Sequence, residues 1–312
     1  MKKNRIVEYI LPVAIFFMGC GQDKNSPTDT STSGSIHIVA DDAYKPVVED
    51  EIKVFESQYH GAHIDVKYET EDSVFKDLMS SDSIRFAIVA RKLTKDEEDF
   101  FHSKTLFPEQ TKIATDAMAL IVNNKNPDSL KFTLDKVKAI FNGQDSTWDA
   151  IDSRSQLGKI TVVFDHENSS NSRYIRDSIN HGHKFPAYCF AVKGNPEVID
   201  YVNKNPNAIG VISVNWISDD YDSTVVRFLS QVKVVGISRK ESENVNDYYQ
   251  PYQEYLKTGS YPLCRDVYVI KREARTGLGS GFISYITSDP GQRIILRAGL
   301  LPATVPTRIL QY

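Results

Sequence analysis

Residues 162–176 read VVFDHENSSNSRYIR, and the chain changes character twice within this segment. β-forming residues end at Asp165, small polar residues follow from Asn168 to Ser172, and apolar residues then recur at helical spacing. The pattern predicts a buried strand, a polar loop and the start of a helix. Because a helix N-terminus carries unsatisfied N–H groups and a partial positive charge, the loop is a candidate anion cradle. An ordinary capping loop is the other interpretation, since Ser and Asn cap helices of every kind.

The composition describes a soluble globular protein with a sizeable core. The chain has 312 residues, of which 41% are hydrophobic and 25% are charged. Its formal net charge is −4, and no block of basic residues interleaved with aromatic residues occurs in the sequence. These features argue against a nucleic acid as the partner.

The N-terminal residues predict a targeting segment. Lys2, Lys3 and Arg5 precede a short apolar run that ends at Met18, and this run is too short to cross a bilayer as a helix. We therefore interpret residues 1–19 as a signal peptide.

The segment FMGC at residues 17–20 resembles a bacterial lipobox, which implies that Cys20 is acylated and becomes the mature N-terminus. A signal peptide with an incidental cysteine is the alternative. Residues 20–34 are polar and lack apolar residues to bury, so they predict a flexible tether between a lipid and the folded body. The expected location is the cell envelope, with the protein anchored to a bacterial membrane through the Cys20 lipid and facing the periplasm or the exterior.

The two other cysteines lie in apolar, strand-like surroundings. An oxidising envelope would permit a disulfide between Cys189 and Cys264, and two buried free thiols are an equally good interpretation.

Strands and helices alternate along the folded body. Residues 35–40 predict a strand, Pro46 stands where a helix would begin, and residues 62–68 alternate as a second strand. Residues 85–90 and 117–122 are further apolar strands. This order predicts an α/β protein whose sheets are mixed and mostly parallel.

Several short motifs occur in a familiar order. They are RKLT at 91–94, DAMALIVN at 116–123, NSSN at 168–171, AIG at 208–210, YPL-x-R at 261–265, and a C-terminal block from Gly291-Gln292 to Leu301-Pro302. In this order, over about residues 35–312, they resemble the phosphate-binding, solute-binding component of bacterial ABC importers. The resemblance implies a two-lobed type II periplasmic-binding-protein clamp with a hinge of crossing strands, which closes on an oxyanion.

The resemblance also implies a division into lobes. Lobe 1 is expected to combine residues 35–117 with residues 276–312, and lobe 2 to cover residues 118–275. A monomer is expected.

The resemblance implies contacts from four loops to the ligand. The anion loop falls on residues 168–171, the first helix-opening loop on residues 41–44, the second-helix contact on residues 71–73, and the post-strand contact on residues 90–91. With Arg173 as a further cation, the expected ligand-binding residues are Asp41, Asp42, Ala43, Tyr44, Ser73, Arg91, Asn168, Ser169, Ser170, Asn171 and Arg173.

The sequence departs from the family pattern at three places. Ser170 and Asn171 replace the Gly and Thr of the anion loop. Asp41-Asp42 stands where Ser or Thr is usual, and Asp165 stands where an arginine is often found. A carboxylate can accept a proton from a protonated phosphate oxygen. We expect Arg91 and Arg173 to supply the positive charge.

Several of the expected ligand-binding residues also have a second interpretation. Arg91 could bind an oxyanion through two hydrogen bonds or could form an ion pair within the protein. Asp41 and Asp42 could cap the helix at Pro46 rather than contact a ligand. Tyr44 could line the pocket or only pack against the start of the helix.

The sequence favours binding over catalysis. Asp165, His166 and Ser169 lie too close together on one loop to form a nucleophile–base pair, and no nucleophile-elbow glycines flank the serine. His181 and His183 lack a third metal ligand nearby. No metal or cofactor is expected.

The expected function is capture of an oxyanion, phosphate first, and its delivery to an ABC permease. Molybdate or sulfate is the alternative ligand, and a surface or sensory lipoprotein that keeps the clamp is the alternative role.

Overall fold

The computed structural model describes residues 29–127, 130–218, 223–272 and 275–304. The expected signal peptide at 1–19, the lipidation residue Cys20 and the first part of the tether lie outside the described residues.

The strands form one large mixed sheet and a small two-stranded sheet. Their bounds are β1 (Ser33–Asp41), β2 (Gly61–Glu69), β3 (Ile84–Val89), β4 (Glu109–Asn123), β5 (Lys131–Thr133), β6 (Thr161–Phe164), β7 (Cys189–Ala191), β8 (Ala208–Ser213), β9 (Val232–Val234), β10 (Gly236–Ser238), β11 (Cys264–Lys271) and β12 (Leu301–Pro302).

The α-helices cover both ends of the large sheet. Their bounds are α1 (Lys45–Gln58), α2 (Glu71–Ser80), α3 (Lys95–Ser103), α4 (Leu134–Asn142), α5 (Ser170–Tyr174), α6 (Asn195–Lys204), α7 (Ser223–Gln231), α8 (Gln253–Lys257), α9 (Leu278–Thr287) and α10 (Asp289–Arg297). A π-helical turn at Ile175–Ile179 continues α5.

The large sheet runs in the order β2-β1-β3-β11-β4-β8-β6-β7. Parallel pairs occupy both ends of this order, and antiparallel pairs join β3, β11, β4 and β8 in the middle. The α/β class and the two-lobed clamp predicted from the sequence are confirmed. We call the part built on β1, β2 and β3 the first lobe, and the part built on β6, β7 and β8 the second lobe.

Strand β4 is the element that joins the lobes. Its first half pairs with β11 as far as Ala117, and its second half pairs with β8 from Met118 onwards. The prediction that places the lobe boundaries at 117/118 and 275/276 stays a prediction.

Local sequence explains where the helices start and stop. Pro46 stands in the first turn of α1, where its missing N–H costs no hydrogen bond. Thr133 caps α4 by accepting a hydrogen bond from the Lys136 N–H, and the helix ends at Gly143 with φ of 88°.

One apolar core runs through both lobes, and each lobe adds a smaller apolar cluster of its own. In the first lobe the rings of Phe55 and Phe282 pack with centroids 5.1 Å apart between α1 and α9. In the second lobe α6 lies so close to β8 that a Cβ on Gly210 would stand 2.8 Å from the side chains of Val198 and Val202. A larger residue than glycine at this position would therefore push the helix away from the sheet.

Cys189 and Cys264 are free thiols, so the alternative of two unpaired cysteines describes this structure. Burial raises the pKa of each thiol to about 12. Of the helices within the described ranges, none is long and apolar enough to cross a membrane.

Candidate anion-binding site

The loop between β6 and α5 has the strand–loop–helix structure that the sequence predicts. Ser169 caps α5, and its Oγ accepts a hydrogen bond from the Ser172 N–H at 3.1 Å. The same Oγ donates to Asp165 Oδ1 at 2.5 Å, and Asn171 Nδ2 donates to Asp165 Oδ2 at 2.9 Å. The loop is therefore folded around a buried carboxylate.

Asp165 is the acceptor that shapes this loop. It is fully buried, and Asn195 Nδ2 from the start of α6 lies 3.3 Å from its Oδ2. Burial raises the pKa of Asp165, while the hydrogen bond from Ser169 opposes the shift. Asp165 thus occupies the position where the resemblance implies an arginine, and it organises Ser169 and Asn171 from there.

Arg265 on β11 supplies the buried positive charge at the centre of the site. Its Nε and Nη2 lie 3.1 Å and 3.0 Å from Asp116 Oδ2 on β4, and its Nη2 donates to Asn171 Oδ1 at 2.8 Å. Its guanidinium carbon lies 5.4 Å from the centroid of the Tyr44 ring. Arg265 is 6% exposed and therefore acts in a low-dielectric setting.

Four buried polar atoms near this arginine make no hydrogen bond within the described part of the chain. They are Arg265 Nη1, Ser170 Oγ, Tyr44 Oη and Asp41 Oδ2. Buried polar groups in folded proteins are almost always paired, so a converging set of unpaired donors with one acceptor needs a physical reason. A small oxyanion that carries a proton would satisfy the guanidinium N–H and both hydroxyl groups as acceptor, and would donate to the carboxylate.

The two carboxyl oxygens of Asp41 have different surroundings. Its Oδ1 accepts a hydrogen bond from the Ala43 N–H at 3.0 Å and caps the short 3-10 turn Asp42–Tyr44. Its Oδ2 makes no such bond. Burial and then the nearby Glu71 carboxylate raise the pKa of Asp41 to about 7, against the charge of Arg265 and the nearby Ser170 hydroxyl group. Capping and ligand contact are therefore compatible at this residue.

Asp42 lies at the edge of the cleft. Its Oδ2 is 3.9 Å from His166 Nε2, across the gap between the first helix-opening loop and the anion loop. Burial raises the pKa of Asp42, and the neighbouring imidazole acts against this shift.

Both arginines expected to hold the ligand bind carboxylates of the protein. Arg91 donates to Glu97 through Nη1 and Nη2 at 2.7 Å and 2.8 Å, and its Nε lies 3.9 Å from Glu71. Arg173 contacts Glu71 through Nε and Nη2. The ion-pair interpretation of Arg91 therefore describes this structure.

The structure brings four of the eleven expected ligand residues together at one buried arginine. Asp41, Tyr44, Ser170 and Asn171 meet at Arg265. Asn168 is exposed on the outer side of its loop, and Ser73 is half-buried on α2, where its Oγ accepts a hydrogen bond from Thr70 at 3.1 Å.

The sequence-based residue set lacks Arg265 and Asp116, although both stand in quoted motifs. The signal that could have identified Arg265 is the alternation of buried and partly exposed residues along β11. Arg265 shares the buried face of this strand with Val267 and Val269. A charged residue on an otherwise buried face is uncommon unless it is paired, and it indicates a functional position.

The two lobes contact each other at the first helix-opening loop, residues 41–44. Asn215 Nδ2 and Trp216 Nε1, in the turn after β8, donate to the Ala43 carbonyl oxygen at 2.8 Å and 3.0 Å. The backbone of the first helix-opening loop is therefore fixed by side chains from the second lobe.

A family model for the PBP superfamily domain matches residues 25–290 of the chain. The phosphate-binding protein PstS of Staphylococcus aureus (strain USA300) is 22% identical over 296 residues, which cover 94% of this chain and 86% of that protein.

Solved structures show the same fold. A chain from Clostridium perfringens with bound phosphate superposes with a TM-score of 0.70 at 23% identity, over 87% of this chain and 100% of that one. An ABC-type phosphate transport receptor from Vibrio cholerae superposes with a TM-score of 0.64 at 18% identity, over 86% of this chain and 100% of that one.

A two-lobed α/β clamp with a buried polar site between its lobes is the architecture of a solute-binding protein. The chain belongs to the PBP superfamily.

Within the described ranges no group of three or more His, Cys, Asp and Glu side chains is arranged to hold a metal ion.

Proposed function

We propose that the protein captures inorganic phosphate between its lobes and delivers it to an ABC permease. The observation that carries the proposal is the set of unpaired buried atoms at Arg265, Ser170, Tyr44 and Asp41. Three of them can donate hydrogen bonds to phosphate oxygens, and the fourth can accept a hydrogen bond from a protonated oxygen. The names of the Staphylococcus aureus relative and the Vibrio cholerae receptor support the same ligand.

The carboxylate acceptor favours phosphate over sulfate. Sulfate carries no proton at neutral pH, so an ionised Asp41 would face it with two negative charges in contact and no hydrogen bond. Sulfate could accept a hydrogen bond here only from a protonated Asp41, whose pKa is about 7. Mono- and dihydrogen phosphate each carry a proton that the carboxylate can accept. The same reasoning disfavours molybdate.

The proposed role is binding without chemistry. Ser169 Oγ is held as a helix cap and as a donor to Asp165, so it does not face the Arg265 site as a nucleophile. Delivery to a permease would follow closure of the lobes, because a closed form presents a surface that the open form lacks. Lipidation at Cys20 would keep the protein beside that permease.

The test is calorimetric titration of the lipid-free mature chain, residues 20–312 with Cys20→Ser, with phosphate, sulfate and molybdate. We expect heat and saturation with phosphate, and at least tenfold weaker binding of the other two anions. Absence of heat and of thermal stabilisation with all three anions at millimolar concentration would refute the proposal.

Ser170→Ala is the informative variant. It removes a hydroxyl group that interacts with Asp41 but satisfies no other buried group within the described residues. The fold should therefore persist while phosphate affinity falls by about tenfold, as expected for one lost hydrogen bond to a charged ligand. Ser103→Ala is the matched control, because the Ser103 hydroxyl bonds only to the Phe100 carbonyl on an exposed face of α3. Equal phosphate affinities of the two variants would argue against the assigned site.

A further inference from the structure

Three buried aspartates surround the guanidinium group of Arg265. Asp41 ends β1, Asp116 lies in β4 and Asp165 follows β6, and each of them is at most 1% exposed. Asp116 contacts the guanidinium directly, and the charge of Arg265 also lowers the pKa of Asp41 and of Asp165, against the effect of burial. The site therefore places three carboxyl groups around one buried cation.

The neighbouring arginines do not offset these acids. Arg173 pairs with Glu71, and Arg91 donates two hydrogen bonds to Glu97 and lies 3.9 Å from Glu71. These two arginines and two glutamates carry equal and opposite charges, so together they add no net charge beside the site.

The other titratable groups near Arg265 do not offset the acids either. Burial raises the pKa of Tyr44, Tyr174 and Cys264, so these three groups stay protonated and uncharged at neutral pH. At the edge of the cleft the His166 imidazole lies 3.9 Å from the Asp42 carboxylate. The three buried aspartates therefore decide the charge that a ligand meets at Arg265.

The surroundings of Asp165 favour its ionised form. Ser169 Oγ, Asn171 Nδ2 and Asn195 Nδ2 lie 2.5 Å, 2.9 Å and 3.3 Å from its carboxylate oxygens, and hydrogen bonds from three donors oppose the effect of burial. The Asn171 amide joins this carboxylate to the cation, because its Oδ1 accepts from Arg265 at 2.8 Å. A negative charge thus lies one amide group away from the guanidinium.

This arrangement penalises a doubly charged ligand. A dianion beside Arg265 would bring two further negative charges into a buried region that already holds more acids than cations, and repulsion is strong where the dielectric constant is low. A singly charged oxyanion with two protons halves that repulsion. One of its O–H groups can donate to Asp41 Oδ2, and the other to the hydroxyl oxygen of Ser170 or Tyr44, which can accept as well as donate.

We propose that the Arg265 site binds phosphate as the singly charged dihydrogen ion, and that Asp165 is the residue that sets this preference. This inference rests on the proposed function for the identity of the oxyanion. Above neutral pH most free phosphate is the hydrogen phosphate dianion. Binding there takes one proton from the solvent, which forms one O–H bond on the phosphate and breaks no other bond of the ligand.

The first test counts protons during phosphate binding by the lipid-free mature chain. Calorimetry at roughly pH 8.5, in two buffers that differ in ionisation enthalpy, should show uptake of about one proton per bound phosphate. By the same linkage the phosphate affinity should fall by about tenfold for each unit of pH in this range.

The second test uses Asp165→Asn, which keeps the shape of the side chain and removes its charge. The new amide oxygen can still accept from Asn171 and Asn195, and the new amide nitrogen can donate to Ser169 Oγ. Ser169 can then donate to the His166 carbonyl oxygen, which lies 3.1 Å away.

We expect phosphate to bind Asp165→Asn about tenfold more tightly than the wild type at roughly pH 6, because a buried like charge is gone. The gain should be larger at roughly pH 8.5, where the ligand carries twice the charge, and proton uptake should fall below that of the wild type. A merely structural role for Asp165 would instead weaken binding by the same factor at both pH values.

Asp135→Asn is the matched control. It removes the same charge from α4 in the second lobe, where the Asp135 side chain is 85% exposed and its charge is screened by solvent and salt. Phosphate affinity and proton uptake should equal those of the wild type at both pH values.

Phosphate binding by the wild type without proton uptake at roughly pH 8.5 would overturn this proposal and leave the proposed function standing. Weaker phosphate binding by Asp165→Asn, with thermal unfolding showing that the variant is folded, would overturn it as well. If Asp165→Asn does not fold, the proton count of the wild type decides. Absence of phosphate binding at both pH values would refute the proposed function, and this inference with it.

Discussion

Glu51 is a buried acid in the first lobe that neither the proposed ligand nor Asp165 involves. It lies on α1 among apolar residues, is 3% exposed, and neither carboxyl oxygen has a hydrogen-bond partner within the described residues. Burial, with a smaller contribution from Asp50, raises its pKa from 4.5 to about 9. The folded protein therefore keeps a proton here that the unfolded chain releases.

This proton makes stability depend on pH in a predictable direction. Between pH 4.5 and about 9 the folded state binds one more proton than the unfolded state, so the free energy of unfolding falls as pH rises through this window. Below pH 4.5 the Glu51 carboxyl group is protonated in both states and does not lower the free energy of unfolding. At pH 7 it lowers the free energy of unfolding by about 3 kcal/mol, because the folded state holds a proton that the unfolded state has released.

Glu51→Gln removes the titrating proton and keeps the shape of the side chain. We expect the variant to gain stability over the wild type as pH rises, with little difference at pH 4.5 and about 3 kcal/mol at pH 7. Urea unfolding of both proteins at a series of pH values measures this difference. A difference that stays constant with pH would contradict a protonated, buried Glu51.

The sequence predicts the polar residues of the anion loop, but it does not predict Arg265, the buried cation that this loop contacts. Ser170 and Asn171 could be predicted because strand, loop and helix signals are local. Arg265 could not be assigned from its own surroundings, since its partners Asp116 and Asn171 lie 149 and 94 residues away. The register of β11 against β4 places Arg265 opposite Asp116. The packing of α5 from the second lobe brings Asn171 to the same arginine.

At the scale of elements, the packing of α10 on α9 depends on a glycine. A Cβ on Gly291 would lie 2.4 Å from the Tyr285 carbonyl oxygen and 2.6 Å from Ile286 Cα, which are backbone atoms that cannot rotate away. The next residue, Gln292, is fully buried and donates from Nε2 to the carbonyl oxygens of Ile113 and Ile286. The Gly291-Gln292 motif therefore fixes the last two helices against β4.

Gly291→Ala should destabilise the fold by about 1–3 kcal/mol, because the added methyl group would separate α9 from α10. Gly279→Ala is the matched control in α9, where the new Cβ would find its nearest neighbour at 3.6 Å. This control should be neutral or gain up to about 1 kcal/mol from helix propensity. Thermal unfolding of the pair measures both effects, and equal stabilities would show that the close approach at Gly291 relaxes without cost.

Sequence patterns predicted elements more reliably than their extents. Residues 117–122 are a confirmed strand, yet β4 begins eight residues earlier, at Glu109. The polar residues of its first half, such as Gln110 and Lys112, do not show an apolar run. Their strand structure comes from pairing with β11, a partner more than 140 residues away.

At the scale of the whole molecule, attachment to the envelope is a prediction from residues 17–20 alone. Labelled palmitate should be incorporated into the wild-type protein in its bacterial host, and Cys20→Ser should abolish the label. Cys189→Ser is the matched control and should be labelled as the wild type is, since Cys189 is a half-buried thiol within the folded body. Label retained by Cys20→Ser, or absent from the wild type, would contradict lipidation at Cys20.

The continuous course of β4 through both halves of the sheet has a consequence for how the protein comes apart. The backbone of β4 pairs with β11 in one half of the sheet and with β8 in the other half. If either half unfolds, β4 is lost as a hydrogen-bonded neighbour of the strand in the other half. The two lobes should therefore denature together, as a single calorimetric peak whose van't Hoff and measured enthalpies agree. Two lobes that share one central strand should therefore unfold as one unit.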